Sequence, residues 1–278
     1  MSDPGARIGI TCPPDHPVFS VVGESLADRG HEVIFFDPTR EVPTADLESL
    51  SLLVHKRTRP ASVRALLRAE RQGVPTWNSA TGVSACVSRF TQLCLLRGVG
   101  FPVPAASPSK PDGSYVAKPR YHWEMNPELN GEGDVYEELL DVEPIDYKYY
   151  VVDDGTTHRV TVLRTTSKLY GDKRVLGEAT PVPAAAERVR RLADRLGMRS
   201  IGVDLVRLAD DAAESADGER SSDAGTDREG GACPGTPVGD DARSPVDGWY
   251  AVDLNPCPSF VGTGMEEVLV DSILDALE

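Results

Sequence analysis

Apolar residues in the first eighty positions alternate between short unbroken runs and stretches with helical spacing. Arg7–Thr11, Glu32–Phe36, Leu50–Val54 and Val74–Trp77 read as strands. Between them, Val18–Arg29 and Ala61–Gln72 carry apolar residues at helical intervals. These helices end at Gly30 and Gly73, each suited to a left-handed stop. Strands alternating with helices predict a parallel sheet with helices on its faces, so residues 1–80 are expected to form a small α/β lobe. No GxGxxG follows the first strand, where Cys12-Pro13-Pro14 stands, and a dinucleotide fold is unsupported.

The pattern changes after residue 80. A helix is predicted over Ala85–Arg97, broken by Gly98–Pro104. Strands follow at Ser114–Lys118, Asp134–Glu138, Tyr147–Val152 and Thr157–Thr165. Then come a helix over Ala184–Leu196 stopped by Gly197, strands at Ser200–Leu208 and Gly248–Asn255, and a last helix over Glu266–Leu277. Consecutive strands with few helices predict an antiparallel sheet, hence an α+β region over residues 81–278. Residues 210–247 interrupt it. They hold 8 Asp, 3 Glu and 3 Arg and lack Ile, Leu, Met, Phe, Tyr and Trp. Such a stretch buries too little apolar area to offset its ordering entropy, and it is expected to be a disordered acidic insertion in a hairpin. Setting it aside leaves Asp204 and Asp253 at hairpin distance.

Composition narrows the function. Hydrophobic residues make up 40% of the 278, enough for a packed core. The formal charge of −15, from 44 Asp+Glu against 29 Lys+Arg, argues against a nucleic-acid partner, which needs a basic face. The cations comprise only 6 Lys beside 23 Arg, with 25 Asp, a balance resembling proteins of salt-loving archaea. Five scattered Cys form no CxxC pair, which suggests a reducing compartment. The chain shows no signal-peptide pattern and no apolar run near the roughly 18 residues of a membrane span. A cytoplasmic protein without membrane association is therefore expected.

Four groups of residues could carry chemistry. In Asp253-Leu254-Asn255-Pro256-Cys257-Pro258-Ser259, positions 253 and 255 share one face of a strand. With Asp204 across the hairpin they offer three oxygen donors for Mg²⁺; the alternative is an Asx-turn at a strand end, with Asp204 solvated. Lys118 ends the strand Tyr115-Val116-Ala117-Lys118, where a mobile point charge could meet phosphate or simply solvent. Glu137-Glu138-Leu139 leads into a linker whose backbone could meet an adenine edge, and Asp146-Tyr147-Lys148 opens the next strand. His16 follows the first strand, while Lys56 and Arg57 follow the third. All lie at the carboxyl edge where open α/β sheets bind ligands, so they could contact a carboxylate or phosphate of an acceptor or remain solvated loop residues.

In this order the pieces resemble the ATP-grasp superfamily: an α/β lobe, strand-Lys-Pro, a Glu-Glu-Leu-Leu linker, Asp-x-Lys, Gly-Val-Asp and Asp-x-Asn-x-x-Pro-Ser. The similarity spans about residues 75–275 apart from the insertion, and is greatest to RimK/glutathione-synthetase-like ligases and inositol-trisphosphate 5/6-kinases. It implies two α+β subdomains clasping ATP, with Mg²⁺, or alternatively Mn²⁺, at its phosphates. It implies that Arg89, Lys118, Glu137, Glu138, Leu139, Glu143 and Asp146 bind nucleotide, and that Asp204, Asp253 and Asn255 bind metal. It further implies that Lys148 and Arg164 are catalytic; His16, Lys56 and Arg57, by their place at the sheet's carboxyl edge, and Ser259 are the expected acceptor contacts. The expected reaction joins a peptide or small-molecule carboxylate to an amine through an acylphosphate. A small-molecule kinase and a non-catalytic ATP-binding module are the alternatives. The family's glycine-rich lid is replaced here by residues 120–133, with Gly only at 131 and 133.

Overall fold

Strands β1 (Arg7–Ile10), β2 (Glu32–Phe35), β3 (Leu52–Val54) and β4 (Thr76–Trp77) pair in parallel in the order β2-β1-β3-β4. Helices α1 (Phe19–Asp28), α2 (Thr44–Glu48) and α3 (Pro60–Arg71) connect them. The structure, a computed structural model, describes residues 5–121, 127–209 and 246–278. Strand order reverses between β1 and β3, so the chains leaving their carboxyl ends diverge and open a crevice. Pro60 begins α3, where a missing N–H costs no helical bond, and Ala61, Ala65, Leu66 and Ala69 form its buried stripe.

The single helix expected over Ala85–Arg97 is instead two helices, α4 (Ala80–Ala85) and α5 (Arg89–Gly98). The physical reason is capping: Ser79 Oγ accepts the Gly82 N–H at 2.9 Å and starts α4 early, while Ser88 in extended geometry restarts the chain as α5.

A small antiparallel sheet follows, in the order β5-β8-β6-β7: β5 (Ala106–Ser107), β6 (Tyr115–Lys118), β7 (Glu128–Leu129) and β8 (Val135–Glu138). A larger antiparallel sheet takes β9 (Ile145–Asp153), β10 (His158–Thr166), β11 (Val175–Ala179), β12 (Ser200–Arg207) and β13 (Trp249–Asn255), in the order β11-β10-β9-β12-β13. Helix α6 (Pro183–Leu196) links β11 to β12 and ends at Gly197, whose φ of 59° is left-handed. Helix α7 (Glu266–Asp275) returns the chain to α1.

Both faces of the larger sheet are buried, which is why β9 reads as a continuous apolar run. Tyr149 and Val151 point into a core with α5 and α6, whereas Tyr150 and Val152 point into one with α1, α7 and β1. Trp77 is fully buried and its Nε1 donates to Ser272 Oγ at 2.9 Å, tying β4 to α7. Most of the expected acidic insertion lies outside the described residues. Its far boundary at 247 needs correction: Val246 is buried in the first core, and its carbonyl accepts the Trp249 N–H at 3.0 Å. No described helix is long and apolar enough to cross a membrane.

Candidate functional site

The two antiparallel sheets and the carboxyl edge of the parallel sheet enclose a cavity of about 490 Å³. Register decides which side chains reach it. Lys148 pairs with Asp204, Asp204 with Asp253, and Gly202 with both Tyr150 and Asn255. Paired residues of an antiparallel ladder share a face, so one face of β9, β12 and β13 presents Asp146, Lys148, Asp204, Asp253 and Asn255 together. Gly202 leaves the room into which Pro258 closes: a Cβ there would lie 3.0 Å from the Pro258 Cβ.

Three cations in the cavity each face a carboxylate. Lys118 Nζ lies 2.7 Å from Glu137 Oε2, and both side chains are almost fully buried. Its Nζ also donates to the Val252 carbonyl at 2.7 Å, linking the small sheet to the large one. Lys148 pairs with Asp204, and Arg89, at the start of α5, pairs with Asp253. Burial alone would lower the Lys148 pKa; the adjoining Asp204 carboxylate outweighs it and raises the value. Burial raises the Asp146 pKa, with Lys148 pulling against it.

The remaining expected residues divide clearly. Glu138 and Leu139 line the cavity, whose apolar lining includes Pro104, Val116, Leu140, Val206 and Val252. His16, Lys56, Arg57 and Ser259 also line it. Arg164 does not reach the cavity. It pairs with Tyr147, one residue out of step with Lys148, so it lies on the other face of the sheet. Glu143 is also turned away: it accepts from the Tyr147 hydroxyl at 3.2 Å and sits 3.4 Å from Arg207. The expected lid falls partly on residues 122–126, outside the described residues.

The alternative reading of Asn255 also has its geometry, because Asn255 Oδ1 accepts the Cys257 N–H at 2.9 Å in an Asx-turn. A carbonyl oxygen has a second lone pair, so the turn leaves Asn255 able to serve as a ligand. No group of three His, Cys, Asp or Glu converges for a metal among the described residues. Two carboxylates and one amide oxygen on a single face still suit Mg²⁺, which retains several water or phosphate oxygens. Asp204, Asp253 and Asn255 therefore fit such an ion, and Arg89, Lys118 and Lys148 fit a polyphosphate.

Sequence reasoning missed three residues. Lys168 and Lys173, between β10 and β11, also line the cavity. Five of the six lysines in the chain thus face one cavity, and lysine scarcity was the available signal. Burial and the neighbouring Lys148 lower the Lys173 pKa. Asn78 is buried in the left-handed region with φ 73°. Its amide donates to the Ser200 and Pro256 carbonyls at 3.1 and 3.0 Å and accepts the Ser200 N–H at 2.9 Å. It clamps the start of β12 to the turn after β13, and no sequence pattern pointed to it.

No protein-family model and no curated sequence matches the chain. Solved structures do. The ATP-grasp ligase PsnB complexed with a minimal precursor superposes with TM-score 0.60 at 17% identity, covering 99% of this chain and 100% of that one. The macrocyclase MdnC from Microcystis aeruginosa, bound with precursor peptide MdnA, gives 0.61 at 10% identity, with 96% and 98% covered. N5-carboxyaminoimidazole synthetase from Staphylococcus aureus, complexed with ADP, gives 0.64 at 12% identity, with 98% and 77% covered. The chain has the ATP-grasp fold.

Proposed function

We propose that this ATP-grasp chain is an ATP- and Mg²⁺-dependent ligase that joins a carboxylate to an amine. The observation that carries the reading is the convergence of Lys118, Lys148 and Arg89 with Asp204, Asp253 and Asn255 in one cavity whose lining is partly apolar. The structural neighbours include ligases in complex with ADP or with precursor peptides, which supports a nucleotide together with a peptide or small carboxylate as ligands.

In the proposed reaction, an acceptor carboxylate oxygen attacks the γ-phosphorus. The bond from that phosphorus to the β–γ bridging oxygen breaks, and ADP leaves with the electron pair. An amine nitrogen then attacks the acyl carbon, phosphate departs with the C–O electron pair, and the nitrogen gives up a proton to form the amide. Lys118 and Arg89 would neutralise phosphate oxygens, and Lys148 would hold the transferring group. Asp204, Asp253 and Asn255 would hold Mg²⁺, which would supply neutralisation of phosphate charge. Each cation would exchange its carboxylate for phosphate on nucleotide binding.

The test uses hydroxylamine as the amine with a panel of carboxylic acids and acidic peptides. ATP-dependent hydroxamate formation with release of ADP and phosphate is expected. ADP formation with phosphate retained on the acceptor would instead mark a kinase, and ATP binding without turnover on any acceptor would mark a binding module.

A further inference from the structure

The turn after β13, Asn255-Pro256-Cys257-Pro258-Ser259, begins at an oxygen ligand for the metal. Its two prolines lack an N–H, so Cys257 supplies the only backbone donor between Asn255 and Ser259. That N–H goes to Asn255 Oδ1 at 2.9 Å. The carbonyl of the same peptide unit, that of Pro256, accepts from Asn78 Nδ2 at 3.0 Å. A trans peptide is planar, with its C=O and N–H pointing opposite ways. Asn78 therefore grips one edge of a rigid plate whose other edge bonds the Asn255 side chain.

Asn78 is itself fixed. It follows β4, is 1% exposed, and is bonded from both ends of its amide. Besides the Pro256 carbonyl, Nδ2 donates to the Ser200 carbonyl at 3.1 Å and to Ser200 Oγ at 3.2 Å, while Oδ1 accepts the Ser200 N–H at 2.9 Å. Turning the amide over would set its oxygen against two carbonyls and its NH₂ against an N–H, so the network admits one orientation. Ser200 begins β12, the strand that carries Asp204, and the same amide thus refers the plate to that carboxylate's strand. The Asn78 φ of 73° lies in the left-handed region, which glycine enters with less strain. What asparagine adds at this position is its amide.

We propose that Asn78 is a positioning residue for the metal. It fixes the Pro256–Cys257 peptide plane, and that plane aims the free lone pair of Asn255 Oδ1 at the ion held with Asp204 and Asp253. The assignment rests on the Mg²⁺ reading of the proposed function.

The probes are Mn²⁺, followed by its paramagnetic resonance, and a non-hydrolysable ATP analogue, followed by calorimetry, both with the full chain. Asn78→Gly suits the left-handed backbone and removes only the amide. Asn78→Asp keeps the shape and the acceptor for the Ser200 N–H but loses the donor to Pro256. Each should weaken Mn²⁺ retention in the presence of the analogue about tenfold or more, the scale of losing a group that orients a metal ligand. Affinity for the analogue without metal should stay as in wild type. Asn78→Gly should add nothing to the Mn²⁺ loss of Asn255→Ala, because the residue it acts through is already gone. Wild-type Mn²⁺ retention in both variants overturns the assignment. So do an equal loss of metal-free analogue affinity, an additive effect on Asn255→Ala, and failure of both variants to fold, each of which makes Asn78 a folding residue only. A wild-type chain that binds the analogue but no Mn²⁺ removes the metal reading itself, and the assignment with it.

Discussion

The two ends of the cavity hold cations on opposite terms. Around β6, β9 and β13, Lys118, Lys148 and Arg89 each rest against a carboxylate, so these three charges are neutralised before any ligand arrives. Around the turn after β3, Lys56, Arg57 and Arg59 line the cavity with no carboxylate partner among the described residues. The Lys118–Glu137 pair is integral to the fold, because both side chains are almost fully buried and removing either strands the other, whereas Asp204 and Asp253 stay partly exposed. The unpaired end is a charge excess that the fold tolerates. The same kind of substitution, a cation made neutral, should therefore have opposite consequences at the two ends.

The largest effect is expected at Lys118. Lys118→Ala leaves Glu137 buried without a partner and should lower unfolding free energy by about 3–5 kcal/mol, as breaking a buried ion pair does. Lys118→Met/Glu137→Leu should regain most of that stability while failing to regain ATP affinity. Urea denaturation and calorimetry read both, and a loss below about 1 kcal/mol in the single variant would place this pair in solvent-like surroundings.

Next comes acid. Burial pushes His55, the residue before Lys56, down to about 3, and both its ring nitrogens lack hydrogen-bond partners among the described residues. His16 is lowered to about 4. Both folded values lie below the unfolded one of 6.5, so the unfolded chain takes protons first as pH falls. Their stabilising contribution is complete above about pH 6.5 and declines from there through pH 4 toward pH 3, with His55 contributing on the order of a few kcal/mol. The denaturation midpoint should fall across this window in the wild type and fall less steeply in His55→Gln; parallel slopes would show that His55 does not titrate differently on folding.

Asp253→Asn should cost less stability, about 1–2 kcal/mol, because the amide oxygen still accepts from Arg89 while the charge is lost. Its main effect should be weaker retention of Mn²⁺, used as a paramagnetic substitute for Mg²⁺, in the presence of an ATP analogue. Unchanged Mn²⁺ spectra would remove Asp253 from the ligand set. The smallest stability change belongs to Arg57→Ala, expected within about 0.5 kcal/mol of wild type or slightly stabilising, since it relieves repulsion rather than breaking a pair. A loss like that of Lys118→Ala would erase the distinction between the two ends.

Much of this was legible in the chain because the relevant residues sit on strands. Asp253 and Asn255 share parity on β13, and Lys118 and Lys148 lie on strands with clear apolar runs. Parity within one strand does not say which face meets the cavity. Arg164 shows the consequence: Thr157–Thr165 was recognisable as a strand, yet the pairing of Arg164 with Tyr147 turns it away. The split into α4 and α5 escaped notice because Ser79 and Ser88 act through local backbone geometry rather than apolar spacing. Lys168 and Lys173 sit in a connection where no periodicity applies. The pairing state of each cation, on which the contrast between the two ends depends, is a tertiary fact that no local pattern encodes.

The β12–β13 hairpin has a practical side as well. The Leu208 N–H donates to the Gly248 carbonyl at 2.8 Å, so the described chain leaves and re-enters the sheet at a single point, five residues from Asp253. The ladder that aligns Asp204 with Asp253 is closed at that point, whatever length of chain joins its two sides. Closing a longer loop costs only about 0.6 kcal/mol per doubling. The hairpin's open end is therefore a splice port: a fluorescent reporter or affinity module could be carried there as cargo while the cavity keeps its register.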